Sequence, residues 1–419
     1  MNSMKVTIVG MGYIGLPTAA VISKNKIKTH GVDIDKNIIN TINKGDIHIT
    51  EPGLKDIVTK SVKAGFLIAS SKPAEADVFL ITVPTPLNSK KLPDISYVKK
   101  AAKSIAPFLA KGNLVILEST SPVGTTKLIT KLIKKLRPDL SFPHKDLDKA
   151  DISIAYCPER VIPGKTMKEL VDNDRVIGGM TRNCAKKASK FYSTFVKGQC
   201  HETNAETAEL SKLAENSFRD VNIAFANELS MICDESGINP WELINIANRH
   251  PRVNILQPGP GVGGHCIAVD PWFVVASSKK AKLIKQAREV NLAKTRFIFN
   301  SLKKLINVIS SEKKIPLTKV KVAIFGLAFK ADIDDLRESP ALEIAEDIIK
   351  KLGSSLLVVE PNIKKLPISL KANSKLVSTE FALKNCHIAV GLVDHKEFTK
   401  YKKVDFDGIK LIDSKGLWN

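Results

Sequence analysis

The chain opens with a short apolar segment, residues 5–9, which leads through a glycine-rich turn into residues 17–23, which have a helical pattern. Glycine permits backbone angles and close approaches that other residues do not. A strand, a tight turn and a helix in this order predict the first βα unit of a parallel sheet, where a dinucleotide's pyrophosphate sits against the helix N-terminus. The residues predicted to contact the cofactor here are Gly10, Gly12, Tyr13, Ile14 and Gly15.

An acidic residue after the next strand candidate supports a dinucleotide site. Residues 29–32 form that candidate, and Asp33 follows it, 18 residues beyond Gly15. In dinucleotide folds an acid at about this distance accepts a hydrogen bond from the adenine ribose. Because a carboxylate accepts the 2′-hydroxyl of NAD and repels a 2′-phosphate, we expect NAD rather than NADP.

Further apolar runs at residues 77–83, 114–117 and 152–156 alternate with helical stretches. This alternation predicts a parallel, doubly wound α/β sheet, whose ligands bind at the carboxyl ends of the strands. The polar loops that follow these runs contain four candidate site residues, which are Thr85, Thr120, Glu159 and Arg160.

The pattern then becomes helical and afterwards returns to α/β. Residues 205 to about 237 predict one long helix, with apolar positions spaced by three or four, and a second helical block covers about 277–309. Residues 321–325 begin a second strand–turn–helix unit. Its turn has Ala328 where a second glycine would stand, so we expect it to hold a nucleotide other than NAD.

We therefore predict an α/β protein with two Rossmann-like doubly wound domains joined by a central domain of long helices. The expected boundaries are residues 1–200, 201–312 and 313–419.

Composition narrows the possible partners. The chain has 64 Lys and Arg against 43 Asp and Glu, a net charge of +21. The lysines are spread in pairs over predicted helix surfaces without interleaved aromatic residues, so we favour a solvated surface over a nucleic-acid groove. The same positive field would attract a small anionic substrate.

Six cysteines are dispersed without a C-x-x-C pair, so neither a metal site nor a disulfide framework is indicated. No apolar run approaches the roughly 18 residues that cross a bilayer. No signal-peptide pattern precedes the first strand. We expect a cytoplasmic protein that does not associate with membranes.

Residues 259–271, Gly-Pro-Gly-Val-Gly-Gly-His-Cys-Ile-Ala-Val-Asp-Pro, place Cys266 in a glycine-rich turn four residues before Asp270. The glycines would let the backbone reach a ligand, so that this thiol could meet a carbonyl carbon. A buried, inert thiol is the alternative interpretation. We favour Asp270 over the adjacent His265 as the polar partner of the sulfur, because neighbours in an extended loop point apart.

Lys212 and Asn216 are four residues apart on the predicted long helix and therefore project from one face. Together they could donate hydrogen bonds to a developing oxyanion, or they could be a solvated polar pair. Glu159 could orient water or lie on the surface. Thr120 could contact water and substrate, or it could cap a helix.

Taken in order, these segments resemble the UDP-glucose/GDP-mannose dehydrogenase family, whose members oxidise a nucleotide sugar's primary alcohol to a carboxylate with two NAD. The resemblance covers essentially the whole chain. The motifs that carry it are Gly10-x-Gly12-x-x-Gly15, Thr82-Val83-Pro84-Thr85-Pro86, Glu118-Ser119-Thr120, Pro158-Glu159-Arg160, residues 210–216, the Cys266 loop and residues 325–340.

The resemblance implies that Cys266 is a nucleophile which converts the sugar aldehyde into a thioester for water to cleave. Its implied catalytic partners are Lys212, Asn216, Asp270, Glu159 and Thr120. The implied NAD ligands beyond the first turn are Asp33, Thr85, Thr120 and Arg337. The implied substrate ligands are Glu159, Arg160, Lys212, Asn216, Arg252, Gly263, His265 and Lys330. Arg252 would come from a neighbouring subunit, so a homodimer or tetramer is expected.

Within the family, the cysteine loop is more similar to that of enzymes acting on UDP-N-acetyl-D-mannosamine than on UDP-glucose. Ala268 and Val269 stand where UDP-glucose enzymes have Pro-Lys, and Ile409 stands where they tend to carry arginine. UDP-N-acetyl-D-mannosamine is the expected substrate, with UDP-N-acetylglucosamine or UDP-glucose as alternatives. Two other functions stay open: a two-electron hydroxyacid-type dehydrogenase, which would need no cysteine, and a non-catalytic nucleotide-binding or nucleic-acid-binding protein.

Overall fold

The computed structural model describes residues 4–144, 148–162 and 164–418. The chain divides into two compact units, which are unit 1 (Met1–Glu215 and Trp272–Ser277) and unit 2 (Asn216–Pro271 and Ser278–Asn419). Among the described helices, none combines the length and the apolar character that a membrane span requires.

In the described residues, unit 1 is built on one sheet of eight strands with the order β3-β2-β1-β4-β5-β6-β7-β8. The first six strands have the order of a doubly wound dinucleotide-binding sheet and are parallel, so the predicted fold class is confirmed. The strands are β1 Lys5–Val9, β2 Lys28–Val32, β3 Leu67–Ser70, β4 Val78–Ile81, β5 Leu114–Leu117, β6 Ser153–Tyr156, β7 Arg175–Gly179 and β8 Cys200–Asn204.

Helices cover both faces of this sheet, and each central strand contributes to two apolar clusters. Val78 and Leu80 of β4 pack into one cluster, whereas Phe79 and Ile81 pack into the other. Successive side chains of a strand point to opposite faces, so a strand covered on both sides must be apolar throughout. The helices are α1 Gly15–Lys24, α2 Lys36–Asn43, α3 Leu54–Lys63, α4 Ser96–Ile105, α5 Thr125–Leu136, α6 Thr166–Asp172 and α7 Arg182–Tyr192.

The far edge of the sheet differs from the parallel prediction. β7 pairs with β6 in the antiparallel direction, and β8 then pairs in parallel with β7. A Cβ atom at Gly178 of β7 would lie 2.5 Å from the Cβ of Ala208, so a glycine is required there. Apolar periodicity reports burial and not strand direction, which is why the sequence did not predict the reversal.

In the described residues, unit 2 contains a five-stranded, all-parallel sheet with the order β11-β10-β9-β12-β13. This order matches the first five strands of a doubly wound fold, more than the half-sheet expected from residues 321–352. The strands are β9 Lys321–Phe325, β10 Ser355–Val359, β11 Ser374–Leu376, β12 Ile388–Gly391 and β13 Lys410–Asp413. The remaining helices are α8 Ala205–Ser236, α9 Pro240–Ala247, α10 Asp270–Ser277, α11 Lys282–Lys313, α12 Pro340–Leu352 and α13 Thr379–Asn385. The short 3₁₀ helices are Ala106–Phe108, Leu317–Lys319, Ile368–Leu370, Lys396–Lys400 and Lys403–Phe406.

The long helix α8 matches its predicted range, and the helical block predicted at about 277–309 corresponds to α11, which begins later, at Lys282, and ends at Lys313. A turn at residues 278–281 separates α10 from α11. In that turn the Ser278 hydroxyl accepts a hydrogen bond from the backbone N–H of Lys280 at 3.2 Å. Such a local side-chain bond competes with helical backbone bonding, and a purely apolar pattern does not detect it.

A continuous set of buried polar contacts joins α8 to α11 within unit 2. The Arg288 guanidinium donates to Asp220 at 2.6 Å, and the Asn291 amide donates to the same carboxylate at 2.8 Å. Asn227 donates to Asn291 at 2.9 Å and accepts from the backbone N–H of Gly259 at 2.9 Å. We call Asp220, Asn227, Arg288 and Asn291 the buried polar ladder; it ends on the first residue of the glycine-rich loop.

Replacing Arg288 by Met should lower the free energy of unfolding by about 3–5 kcal/mol, because it leaves the Asp220 carboxylate buried without its cation. Lys285→Met is the matched control on the same helix. It removes an exposed ion pair with Glu289 at 3.7 Å and should cost less than about 1 kcal/mol. Urea unfolding followed by circular dichroism measures both; equal losses would contradict a structural role for the buried pair.

Candidate active site

The turn between β1 and α1 has the geometry that a dinucleotide pyrophosphate needs. Gly10 has a φ of +98°, and a Cβ atom on Gly15 would lie 1.8 Å from the Gly10 carbonyl oxygen. A Cβ on Gly12 would meet nothing within 4 Å, so this glycine faces open space. α1 has no side-chain cap at Ile14 and no acidic residue in its first turn. Its first N–H groups therefore suit an anion, and these residues fit NAD.

Asp33 lies directly after β2 and beside this turn. Its carboxylate accepts hydrogen bonds from the backbone N–H groups of Met11 at 2.9 Å and of Asp35 at 3.0 Å. His48, which sequence reasoning missed, also lies here. Burial lowers the pKa of His48, while Asp33 and a bond to the Met11 backbone oppose that shift. Since each carboxylate oxygen accepts more than one bond, Asp33 keeps acceptor capacity for a ribose hydroxyl.

Two candidate residues from neighbouring strand ends meet directly. The Thr85 hydroxyl, after β4, donates to the backbone carbonyl of Thr120, after β5, at 2.7 Å. The Ser119 hydroxyl donates to the Val83 carbonyl at 2.7 Å. These bonds hold the two loops together at the carboxyl edge of the sheet, where ligands of doubly wound folds bind.

A glutamate of α8 caps the N-terminus of α5, the role that the sequence had offered as an alternative for Thr120. Glu209 of α8 accepts from the backbone N–H of Gly124 at 2.5 Å, and from both the N–H and the hydroxyl of Thr126 at 2.7 Å. α5 is therefore capped by a residue far away in sequence. The alternative that Thr120 caps this helix is wrong.

Glu159 and Lys212 lie close together in unit 1. Burial raises the pKa of Glu159, and the charges of Lys212 and Arg175 oppose the rise, as do hydrogen bonds from the backbone at residues 160 and 161. One carboxylate oxygen of Glu159 is buried and has no hydrogen-bond partner among the described residues. A carboxylate with an elevated pKa and spare acceptor capacity can act as a general base.

Arg160 is held by a carboxylate of the same unit. Its guanidinium contacts both oxygens of Glu215 on α8, at 2.9 and 3.2 Å. Such a two-point contact fixes the direction of the planar guanidinium. Contact between Arg160 and the substrate stays a prediction.

A second buried carboxylate, Glu118, lies near Glu159. In the sequence it was identified only as part of a family motif. Tyr192 donates to it at 2.5 Å. Burial raises the pKa of Glu118 to about 7, against the opposing effects of Arg175 and of the Tyr192 bond. The signal in the sequence is a carboxylate placed directly after the fully apolar strand β5. Burial also raises the pKa of the neighbouring Cys157 thiol to about 12, so this cysteine is an unreactive thiol at neutral pH.

The cysteine loop of unit 2 ends in a tight turn that begins α10. The Cys266 carbonyl accepts from the backbone N–H of Val269 at 3.1 Å and of Asp270 at 2.8 Å. The Cys266 side chain is exposed, whereas Asp270 is buried and accepts from the Asn216 amide at 2.5 Å. The structure therefore brings Asn216 and Asp270 together, and the alternative of a buried thiol at Cys266 is wrong.

The loop glycines meet a packing requirement that the sequence did not reveal. A Cβ on Gly263 would lie 2.5 Å from the Glu338 carbonyl oxygen, and one on Gly264 would lie 2.8 Å from the Phe329 ring. Gly261 and Gly264 also have positive φ values of +141° and +80°. The cysteine loop thus packs against the segment that follows β9.

Two of the remaining candidates, Lys330 and Arg337, lie on that segment, and His265 lies beside it. Arg337 contacts both oxygens of Asp335, at 2.6 and 2.8 Å. Burial lowers the pKa of His265, and the nearby Arg337 lowers it further. Lys330 and Arg252 are exposed. Their contacts with NAD or substrate stay predictions.

Comparison with known proteins decides the family. Three domain descriptions of the UDP-glucose/GDP-mannose dehydrogenase family match in order: the NAD binding domain at residues 4–196, the central domain at 206–293 and the UDP binding domain at 323–417. The chain belongs to this family. It is therefore an NAD-dependent nucleotide-sugar dehydrogenase, which confirms the expected cofactor and enzyme class.

Individual members of the UDP-glucose/GDP-mannose dehydrogenase family resemble the chain over its whole length. UDP-N-acetyl-D-mannosamine dehydrogenase of Yersinia pestis is 54% identical, with 100% of both chains covered. NDP-N-acetyl-D-galactosaminuronic acid dehydrogenase of Ralstonia nicotianae is 53% identical, covering 99% of this chain and 96% of the relative. The solved structure of UDP-N-acetyl-mannosamine dehydrogenase from Staphylococcus aureus has a TM-score of 0.84 at 41% identity, covering 99% and 95%.

The raised pKa of Glu118 predicts a pH-dependent stability difference between the wild type and Glu118→Gln. A carboxyl whose pKa rises on folding stabilises the folded state below its ordinary value of 4.5, and this stabilisation is lost as the pH rises through about 7. From pH 5 to pH 8 the wild type should therefore lose about 2–3 kcal/mol relative to the variant.

Urea unfolding at both pH values measures this difference. Glu202→Gln, at an exposed position of β8, is the matched control. A Glu118→Gln difference that stays constant from pH 5 to pH 8 would contradict the prediction.

Proposed function

We propose that this enzyme oxidises UDP-N-acetyl-D-mannosamine at C6 to the uronate through a covalent intermediate on Cys266. The observation that carries the proposal is the cysteine loop, in which an exposed thiol lies four residues before Asp270, whose buried carboxylate is bonded to Asn216. The choice of sugar is supported by several UDP-N-acetyl-D-mannosamine dehydrogenases that are 52–54% identical to this chain. The galactosaminuronic acid enzyme is similar to the same degree, so the galacto sugar is the second candidate.

The chemistry assigns a separate task to each residue. NAD, when bound, takes up the hydride released in each of the two oxidations. After the first, the Cys266 thiolate adds to the C6 aldehyde, and the new C–S bond leaves a negative charge on oxygen. The Lys212 ammonium and the Asn216 amide supply hydrogen-bond donors for this charge. The second oxidation converts the adduct to a thioester.

Hydrolysis then releases the product. Water attacks the thioester carbon while Glu159 accepts a proton from it, and Thr120 helps to hold the water. The C–S bond breaks, the sugar leaves as a carboxylate, and the Cys266 sulfur returns to its starting state. The raised pKa of Glu159 supports this role, because burial makes the carboxylate a stronger base. Asp270 holds Asn216 in place.

We propose that residues 1–200 form the NAD-binding domain, 201–312 the central helical domain and 313–419 the UDP-sugar-binding domain. The proposed NAD ligands are Gly10, Gly12, Tyr13, Ile14, Gly15, Asp33, Thr85, Thr120 and Arg337. The proposed substrate ligands are Glu159, Arg160, Lys212, Asn216, Arg252, Gly263, His265 and Lys330. We also propose a cytoplasmic location, which the six dispersed cysteines support because disulfide pairs are usual outside the cytoplasm.

A homodimer built on α8 is part of the proposal. Phe218, Phe225 and Ile232 recur every seven residues on this helix and are 69%, 51% and 52% exposed. Large apolar side chains at heptad spacing form one stripe, which a second copy of the same helix can cover. Arg252 of one subunit would then contact the nucleotide sugar bound to its partner.

Phe225→Lys should convert the dimer to a monomer, because it places a charge in the middle of the apolar stripe. Sedimentation velocity measures the mass of both forms. Phe381→Lys, at an exposed position on α13, is the matched control and should leave the dimer intact. A monomeric wild type, or a variant that remains dimeric, would overturn the proposed interface.

The covalent mechanism predicts two NADH per molecule of UDP-N-acetyl-D-mannosamine, and a loss of turnover of about 10³-fold or more in Cys266→Ala. Absorbance at 340 nm measures both quantities. Cys386→Ala, a half-buried cysteine of unit 2, should retain full activity. One NADH per sugar together with an active Cys266→Ala variant would indicate a two-electron dehydrogenase instead.

The same assay tests the substrate. The ratio kcat/KM should be highest for UDP-N-acetyl-D-mannosamine among a panel with UDP-N-acetylglucosamine, UDP-N-acetylgalactosamine and UDP-glucose. A higher ratio for any other sugar would reassign the substrate without affecting the family or the covalent mechanism.

A further inference from the structure

The loop that carries Lys330 is attached to two buried side chains of unit 2. It covers residues 326–332 between β9 and the Arg337 segment, and Lys330 is its exposed cation. One attachment is near its start and the other is at its end. They are provided by Glu360, directly after β10, and by His395, in the loop after β12, and both side chains are fully buried.

Glu360 holds the start of the loop. One of its oxygens accepts from the backbone N–H groups of Leu327 at 2.8 Å and Ala328 at 3.1 Å. Burial alone would raise the pKa of this carboxyl, but the bond from His395 and those from the loop backbone hold the pKa below its ordinary value. An ionised carboxylate is thus fixed against the turn by several donors.

His395 holds the end of the loop and is bonded at both ring nitrogens. Its Nδ1 atom accepts from the backbone N–H of Asp332 at 2.9 Å and contacts the Asn362 amide at 3.0 Å. Its Nε2 atom lies 3.0 Å from Glu360. Because a backbone N–H can only donate, Nδ1 must be the acceptor, so the ring proton is on Nε2 and is donated to Glu360.

The end of the loop needs this support. Asp332 has a φ of +60°, in the left-handed region that a residue with a Cβ rarely adopts. Its side chain accepts from the backbone N–H of Lys396 at 3.0 Å, one residue after His395. Both the backbone and the side chain of Asp332 are therefore bonded to the loop after β12.

We propose that the Glu360–His395 pair positions Lys330 for the diphosphate of a uridine nucleotide, with His395 as the positioning residue that acts through the Asp332 backbone. The inference rests on the proposed role of Lys330 in binding the nucleotide sugar. Binding a phosphate costs conformational entropy, because the loop and the lysine that it carries must become ordered. A loop that is already held at both ends lowers the part of this cost that comes from its backbone. His395 touches no substrate in this scheme.

Two substitutions separate the functions of the ring nitrogens. In His395→Asn the side-chain oxygen replaces Nδ1, so the acceptor for Asp332 is kept. In His395→Gln the amide nitrogen replaces Nε2, so the donor to Glu360 is kept and the acceptor for Asp332 is lost. Calorimetric titration of the full-length protein with UDP alone should show Kd about 3–10-fold higher for His395→Gln, and a smaller change for His395→Asn.

His387→Gln is the matched control. His387 accepts from the backbone N–H of Lys321 at 3.0 Å, so the same type of bond is lost at the opposite, amino-terminal end of β9. Its Kd for UDP should equal that of the wild type. Thermal unfolding of each variant confirms that the protein titrated is folded.

A double-mutant cycle tests whether His395 acts through Lys330. In a Lys330→Ala background, His395→Gln should cause little further loss of UDP affinity, because the group that it positions is gone. Independent, multiplicative losses would overturn the inference, as would wild-type affinity in His395→Gln. If the wild type itself does not bind UDP, the proposed function of this domain fails, and the inference fails with it.

Discussion

The buried pairing of α8 with α11 is the constraint on which the cysteine loop depends. Both helices are 32 residues long, and apolar packing alone would permit more than one register between them. The Arg288–Asp220 ion pair is almost completely buried, so a register that separates the two charges would leave both unpaired at a large cost. Asn291 and Asn227 extend this network to the backbone of Gly259. The register of two helices thereby determines where the loop containing Cys266 begins.

The first two strands of each sheet are linked by the same kind of hydrogen bond. In each, a carboxylate directly after the second strand accepts from backbone N–H groups in the turn after the first strand. Asp33 binds Met11 in unit 1, and Glu360 binds Leu327 and Ala328 in unit 2. The two turns differ in their surroundings: a Cβ on Gly12 would meet nothing within 4 Å, whereas Leu327 and Ala328 in the turn of unit 2 are buried.

Unit 1 encloses two carboxyl groups, Glu118 and Glu159, near the same buried arginine. Burial raises the pKa of each, and Arg175 opposes both shifts, with Lys212 as a second cation beside Glu159 only. The raised pKa of about 7 leaves the Glu118 carboxyl partly protonated near neutral pH. At Glu159 the Lys212 charge and hydrogen bonds from the backbone also oppose the rise in pKa that burial causes.

Local and periodic features were determined by the sequence by itself. The strand–turn–helix start, the acid at Asp33 and the single long helix α8 follow from spacing and from the backbone preferences of glycine. Features that depend on contacts between residues far apart in the chain were visible only in the tertiary structure. Examples are the antiparallel β7, the capping of α5 by Glu209, and the loop held by Glu360 and His395. The reason is physical: periodicity records which side chains are buried, whereas strand direction and the identity of hydrogen-bond partners arise only when separate segments pack.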